Sequence, residues 1–422
     1  DADIVPQADI GGGIQTLQAS SLTLGLSSSV TSQTLVRGTT SKTAVGIAFQ
    51  SGNASALTVT DVVLTSYFDE DGSGAFTVGS DATTSVADLV SSVTIYEVES
   101  GTVLSSSAAS NQLSNTTGTV TFNSLSWSIP AGATKTLGVK VNLGANALAD
   151  TDYFSFDINA TGDVTALDSS SKTVNAGNYD PNGTTPTVKV TVTNAGTMTT
   201  AVSASTPSDH AAYWGQLGDG IGSWRFTAAN EGFYLEKLQF NEDDAGQRTD
   251  VTNNIKTVYL AYKNKAGSTV TTSSTFNSVA SVAFGFTGDN RPYVSKDGSL
   301  DVVMSADFKT KAEGATTAYQ SVDFFDISFN GQSGAGDATF RAVGEGSGTI
   351  LNGSDTGITD RDQTTAVRVY RVFPEFALVA PVATKLSSVD PVLTFTVTAK
   401  GLADSTLFFD NLAVGSGSIR FE

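Results

Sequence analysis

The chain has 422 residues, with 23 Lys+Arg against 42 Asp+Glu and a formal charge of −19. That balance lacks the basic footprint a nucleic-acid binder needs, and the absence of cysteine excludes disulfide scaffolds, thiolate zinc sites and a Cys nucleophile. A chain this long accommodates two or three domains, and a hydrophobic content of 39% supplies their cores.

The first residues, Asp1-Ala2-Asp3-Ile4-Val5-Pro6, lack the basic and apolar regions of a leader, and with an acidic, Ser/Thr-rich, Cys-free composition the chain is expected to be a mature exported protein with its leader removed. No apolar run approaches the roughly 20 residues of a membrane span. The N-terminal extension, residues 1–19, carries Ile4, Val5, Ile10, Ile14 and Leu17 around Gly11-Gly12-Gly13. It is read as a candidate donor strand for the unfinished sheet of a neighbouring copy.

From residue 20 the pattern is one of strands. Apolar residues alternate with Thr, Ser and Lys in Leu137-Gly138-Val139-Lys140-Val141, Phe154-Ser155-Phe156-Asp157-Ile158, Val188-Lys189-Val190-Thr191-Val192 and Leu393-Thr394-Phe395-Thr396-Val397. Side chains two apart share one face of a pleated strand, and β-branched Thr and Val suit a half-buried sheet. Gly, Asn, Asp and Ser clusters punctuate the strands. The fold class is therefore all-β, built of antiparallel sandwiches.

The strands also recur in order. Val45–Phe49 matches Trp224–Ala228, Val59–Leu64 matches Tyr234–Phe240, Ile95–Gly101 matches Ala261–Gly267, and Phe154, Phe156 and Ile158 match Phe325, Ile327 and Phe329. Leu24–Ser28 is paired in the same way with Val202–Thr206. An acidic residue precedes an apolar pair at Asp61, Glu236 and Asp410. This order predicts a first β-sandwich repeat over 20–196, a second over 197–374 and a partial third over 375–422. Phe49, Phe122 and Phe154 belong to the first core, and Phe226, Phe284 and Phe325 to the second.

The best metal candidate is the loop Tyr67-Phe68-Asp69-Glu70-Asp71-Gly72-Ser73-Gly74, in which oxygen ligands alternate and glycine follows. Asp69, Asp71 and Ser73, with Asp81 from the far side, form a candidate calcium set, although the closing Glu of an EF-hand is missing. The competing reading is an acidic solvated turn. The counterpart Asn241-Glu242-Asp243-Asp244 is acidic too. Of the tryptophans, Trp127 and Trp224 are read as core anchors, whereas Tyr213-Trp214-Gly215 is read as an exposed loop able to touch a glycan. A catalytic triad would have to pass through His210, the single histidine, which reads as a solvated loop residue. No paired carboxylates converge for glycoside hydrolysis, and no enzyme activity is expected. The acceptor pattern Asn-x-Ser/Thr occurs at Asn53, Asn115, Asn159, Asn182 and Asn352.

The element Ser128-Ile129-Pro130-Ala131-Gly132-Ala133-Thr134-Lys135-Thr136-Leu137, like Phe226–Glu231 leading into Leu235–Leu238, resembles the Ig-like sandwich repeats of bacterial surface-layer, sheath and extracellular filament proteins and of large adhesins. The resemblance implies an extracellular, cell-surface location and supplies no catalytic residues. The expected function is a secreted structural protein that self-assembles into a surface layer, sheath or filament, with itself as partner. The alternative is an adhesin or glycan-binding stalk.

Overall fold

The computed structural model describes residues 18–81, 84–104, 113–114, 116–145, 152–242, 248–310, 312–313, 323–332, 338–361, 366–370, 374–384 and 392–401. The N-terminal segment up to residue 17, the acidic pair Asp243 and Asp244, Asn115 and the chain after 401, with Asp410, lie outside them. The chain divides into two compact units, Asp1–Asn194 and Ala195–Glu422.

In the first unit, one sheet runs in the order Ala176–Gly177, Leu22–Leu26, Lys42–Ser51, Thr134–Leu143, Val90–Glu97. The facing sheet is organised on the long strand Leu57–Asp69. One of its edges carries Trp127–Ile129, Thr119–Phe122 and Thr77–Val78, and the other carries Val164–Asp168 and Asp152–Asp157. Alternation makes this a sandwich. Phe49 from one sheet meets Trp127 from the other edge-on at 5.0 Å, and both are buried with Phe122, Phe154 and Phe156.

The second unit uses the same strand order. Thr197–Val202, Asp219–Ala229, Ser299–Phe308 and Ile255–Lys263 follow one another as their four counterparts do, and Thr269–Ser274 is added at the edge. Phe233–Glu242 takes the place of the long strand, flanked by Tyr293–Val294 and Ser281–Gly285 on one side and by Arg341–Gly344 and Ile327–Phe329 on the other. Phe226, Phe284 and Phe325 lie in its core, as the alternation predicts. In each unit a short α-helix, Val86–Leu89 or Arg248–Asn254, leads into the matching strand.

Three features depart from the sequence reading. Each unit closes with a parallel pair, Gln33–Val36 on Val190–Thr193 and His210–Tyr213 on Val367–Tyr370, within otherwise antiparallel sheets. The counterpart of Leu24 is Met198 rather than Val202: Leu24 faces Phe49, and Met198 faces Ala228, the residue equivalent to Phe49. Serines follow both strands, so local sequence does not distinguish the two registers. Finally, Asp326 interrupts the counterpart of strand 152–157, so Asp323–Phe325 and Ile327–Phe329 pair in different sheets. The strands Pro374–Thr384 and Val392–Gly401 form an antiparallel hairpin, paired with each other.

Candidate functional site

Strand 57–69 ends at Asp69, and Thr77–Val78 folds back onto Tyr67 and Phe68, so residues 70–76 form a hairpin loop. Two close approaches hold this end of the sheet. Gly79 donates to the Ser66 carbonyl and Ser66 donates to the Gly118 carbonyl. Gly79 and Gly118 have φ of 76° and 63°, and a Cβ on either would lie 2.7 Å or less from the other's Cα. Only glycine combines that conformation with that contact.

The loop turns on the carboxylates that the sequence singles out. Asp69, buried at the strand end, accepts the Ser73 N–H at 3.1 Å and the Gly74 N–H at 3.0 Å. Asp71 accepts the Ser73 N–H at 2.9 Å, and the Ser73 backbone and then its hydroxyl hold the Asp71 carboxyl below the usual range. Asp81 accepts the Glu70 N–H at 3.3 Å. Carboxylate oxygens of Asp69, Asp71 and Asp81 lie within 4.8 Å of one another. Ser73, the fourth expected ligand, sits on the same turn with its hydroxyl accepting the Ala75 N–H at 3.3 Å. Oxygens that share one calcium at about 2.4 Å lie no more than about 4.8 Å apart, so the three carboxylates fit a hard cation in type and spacing.

The other expectations fare differently. Trp127 and Trp224 are core residues. Trp214 is not exposed: it is buried in the second core and its indole N–H donates to Asn254 Oδ1 at 2.6 Å, so it presents nothing to a glycan. An indole beside a glycine looks like a loop tip in sequence, but here a partner on the helix before strand 255–263 draws it inward. His210 begins a strand instead of lying in a solvated loop. Its Nε2 is 2.8 Å from Asp219 Oδ2 and its Nδ1 is 2.9 Å from the Ser208 carbonyl. Burial pulls the imidazole pKa down, but the Asp219 carboxylate and the Ser208 carbonyl outweigh it and the net shift is upward. Asn182 is buried and hydrogen-bonded to Ser155 and Val188, which closes that acceptor site to a glycan in the folded chain.

Among the buried acids that the sequence reading did not single out are Glu231 and Asp157. Glu231 is buried and accepts N–H groups from Gly196, Gly346 and Ser347 together with the Ser347 hydroxyl, tying the turn after Arg341–Gly344 to the start of the unit. Asp157 is fully buried and accepts N–H groups from Ile158, Asn182 and Gly183. Burial and the carboxyl of Asp180 push Asp157 up to about 7, and burial with the same two acids pushes Tyr67 up to about 12. In sequence, Asp157 reads as one polar residue of an alternating strand, with no signal of its partner.

No family model matches the chain, and no curated protein does. Among solved structures it is similar to the C-terminal domain of the Streptococcus pyogenes antigen I/II-family protein AspA, at 9% identity and TM-score 0.19, over 83% of this chain and 99% of that one. It is also similar to the CupB6 tip adhesin of Pseudomonas aeruginosa, at 9% identity and TM-score 0.18, over 83% and 96%. The collagen adhesin of S. aureus matches at 8% identity and TM-score 0.15, over 90% and 95%. The fold itself rests on the strand pairing described above.

Proposed function

We propose that the chain is an extracellular surface protein of the adhesin type, in which one sandwich scaffold is used twice to display different outer faces. The observation behind this reading is divergence on a shared frame. Thr58 and Ser128, outward residues of the first unit, correspond by strand register to Tyr234 and Tyr293 in the second. Those two rings lie 5.0 Å apart, the Arg291 guanidinium lies 4.3 Å from the centre of the Tyr234 ring, and Glu236 pairs with both Arg291 and Arg341. A lattice that used both units alike would favour like faces; a display module has no such constraint. The test is surface labelling of intact cells combined with negative-stain microscopy of the native material. Isolated particles at the cell surface support the reading, and an ordered lattice or fibre of the purified chain overturns it in favour of self-assembly.

Self-assembly is the second reading, and the hairpin 374–401 favours it. A two-stranded ribbon is marginal alone and offers open edges to another strand. Residues 1–19 of a neighbouring copy are the proposed donor, and head-to-tail addition of this kind extends into a filament unless the rotation closes a ring. Deleting residues 1–18 is then expected to abolish assembly as followed by light scattering; unimpaired assembly removes the N-terminal donor.

We also propose that Asp69, Asp71 and Asp81 take calcium, as a structural clip on the hairpin loop. Ligand that binds only the native state stabilises it by mass action, by about 2.7 kcal/mol at a hundredfold excess over Kd. A chelator is expected to lower the melting temperature of the first unit, and Asp71→Asn to reduce that calcium-dependent shift. A melting curve that ignores both calcium and chelator leaves the loop a hydrogen-bonded turn.

A further inference from the structure

The three-stranded sheet that closes the second unit carries an outward row with a distinct chemistry. Strand register sets Phe324, Arg368 and Ala211 side by side across strands 323–325, 367–370 and 210–213, and all three are exposed. Half-buried Tyr370 and Tyr213 form the next outward row. Phe324 is 41% exposed, unusual for a phenylalanine in a chain whose other described aromatic rings are largely turned inward. Among the described residues the Arg368 guanidinium makes no ion pair, hydrogen bond or ring contact. It is a free cation on a chain of net charge −19.

The first unit provides an internal comparison. The equivalent row is Tyr153, Thr191 and Thr34. There the aromatic ring already has a cation of its own, since the Lys189 ammonium lies 4.9 Å from the centre of the Tyr153 ring. In the second unit a threonine is replaced by arginine, the other threonine by alanine, and the ring is left bare. One sheet position is internally satisfied in one unit and open in the other.

We propose that the Phe324–Arg368–Ala211 row binds an acidic sugar of the uronate class. A guanidinium recognises a carboxylate through two parallel N–H donors. The neighbouring ring offers a flat apolar face to the C–H side of a pyranose. Adjacent strands lie about 4.8 Å apart, so the ring and the guanidinium stand close enough for one sugar to meet both. Ala211 leaves room beside the arginine for the next sugar. The size of the patch decides against a protein partner. A stable protein interface engages roughly 20–30 residues a side, whereas this row has, among the described residues, three exposed side chains with two tyrosines behind them. The inference deepens the adhesin reading by naming a ligand class, and surface labelling tests that reading separately.

The experiment is calorimetric titration of the whole chain with tri-galacturonate and, in parallel, with neutral maltotriose. Tri-galacturonate is expected to bind and maltotriose not to. Arg368→Gln is expected to weaken binding at least about tenfold, Arg368→Lys to recover only part of it, and Phe324→Ala to weaken it without changing the charge. Both substituted residues are exposed, so thermal melts of the variants should match the parent and confirm that they fold. The proposal is overturned if the parent chain ignores tri-galacturonate, binds maltotriose equally, or binds with unchanged affinity after Arg368→Gln. It is likewise overturned if sedimentation shows that Arg368→Gln dissociates a dimer while sugar binding is untouched, which would make the row a self-contact.

Discussion

Replacing Phe240 by alanine is expected to destabilise the second unit by about 3–5 kcal/mol, the cost of removing a buried aromatic side chain from a core that cannot fully collapse. Phe240 is fully buried on strand 233–242, and its ring centre lies 4.5 Å from that of Trp224, 5.8 Å from Phe329 and 6.2 Å from Phe284. These neighbours come from both sheets, so the cavity opens in the middle of the sandwich. Each unit has its own core, and the loss is expected to stay in one. Scanning calorimetry should show one component lowered and the other unmoved. A loss below about 1 kcal/mol, or equal shifts of both components, contradicts this assignment of the cores. Phe240→Leu, which keeps most of the volume, is expected to cost less than Phe240→Ala.

The second large effect is a pH dependence centred on Asp157. Its folded-state pKa of about 7 stands well above the roughly 3.9 of an unfolded aspartate. The folded chain therefore keeps a proton that the unfolded chain releases. The sign follows: stability is greatest below pH 4 with respect to this group and falls as pH rises from about 4 to about 7, by roughly 3 kcal/mol. Burial is the largest cause and the hydrogen bond with Asp180 the next. Asp180→Asn is therefore expected to reduce the slope without abolishing it. The amide would donate to the Asp157 carboxylate, and Asn tolerates the positive φ of 62° at this position. Asp157→Asn is expected to abolish the slope but to lower stability at pH 5, because both carboxyl oxygens accept N–H groups, from Ile158, Asn182 and Gly183, and an amide nitrogen cannot accept one. Urea titrations from pH 4 to pH 8 read these differences, and an unchanged slope in Asp157→Asn would refute the assignment.

Strand content and core membership were legible because they are local. A period of two places Phe154 and Phe156, or Trp224 and Phe226, on one face whatever the rest of the chain does. The acidic turn was legible for the same reason: Asp69, Asp71 and Ser73 are near neighbours, and a hairpin returns Asp81 to them. The matched order of strands in the two units was also readable, since the matching strands follow one another at similar spacing in the sequence.

What the sequence left open depends on contacts between distant segments. Nothing within Gln33–Val36 says that it pairs in parallel with Val190–Thr193; that follows from which sheet edge stands open once the antiparallel strands have packed. Trp214 is buried because Asn254, far along the chain, offers its indole an acceptor inside the core. Asp157 meets Asp180, and Phe324 stands beside Arg368, only after the loops between them have closed. Alternation assigns a side chain to a face, but the pairing of strands chooses its neighbours, and the chemistry of the surface lies in those neighbours.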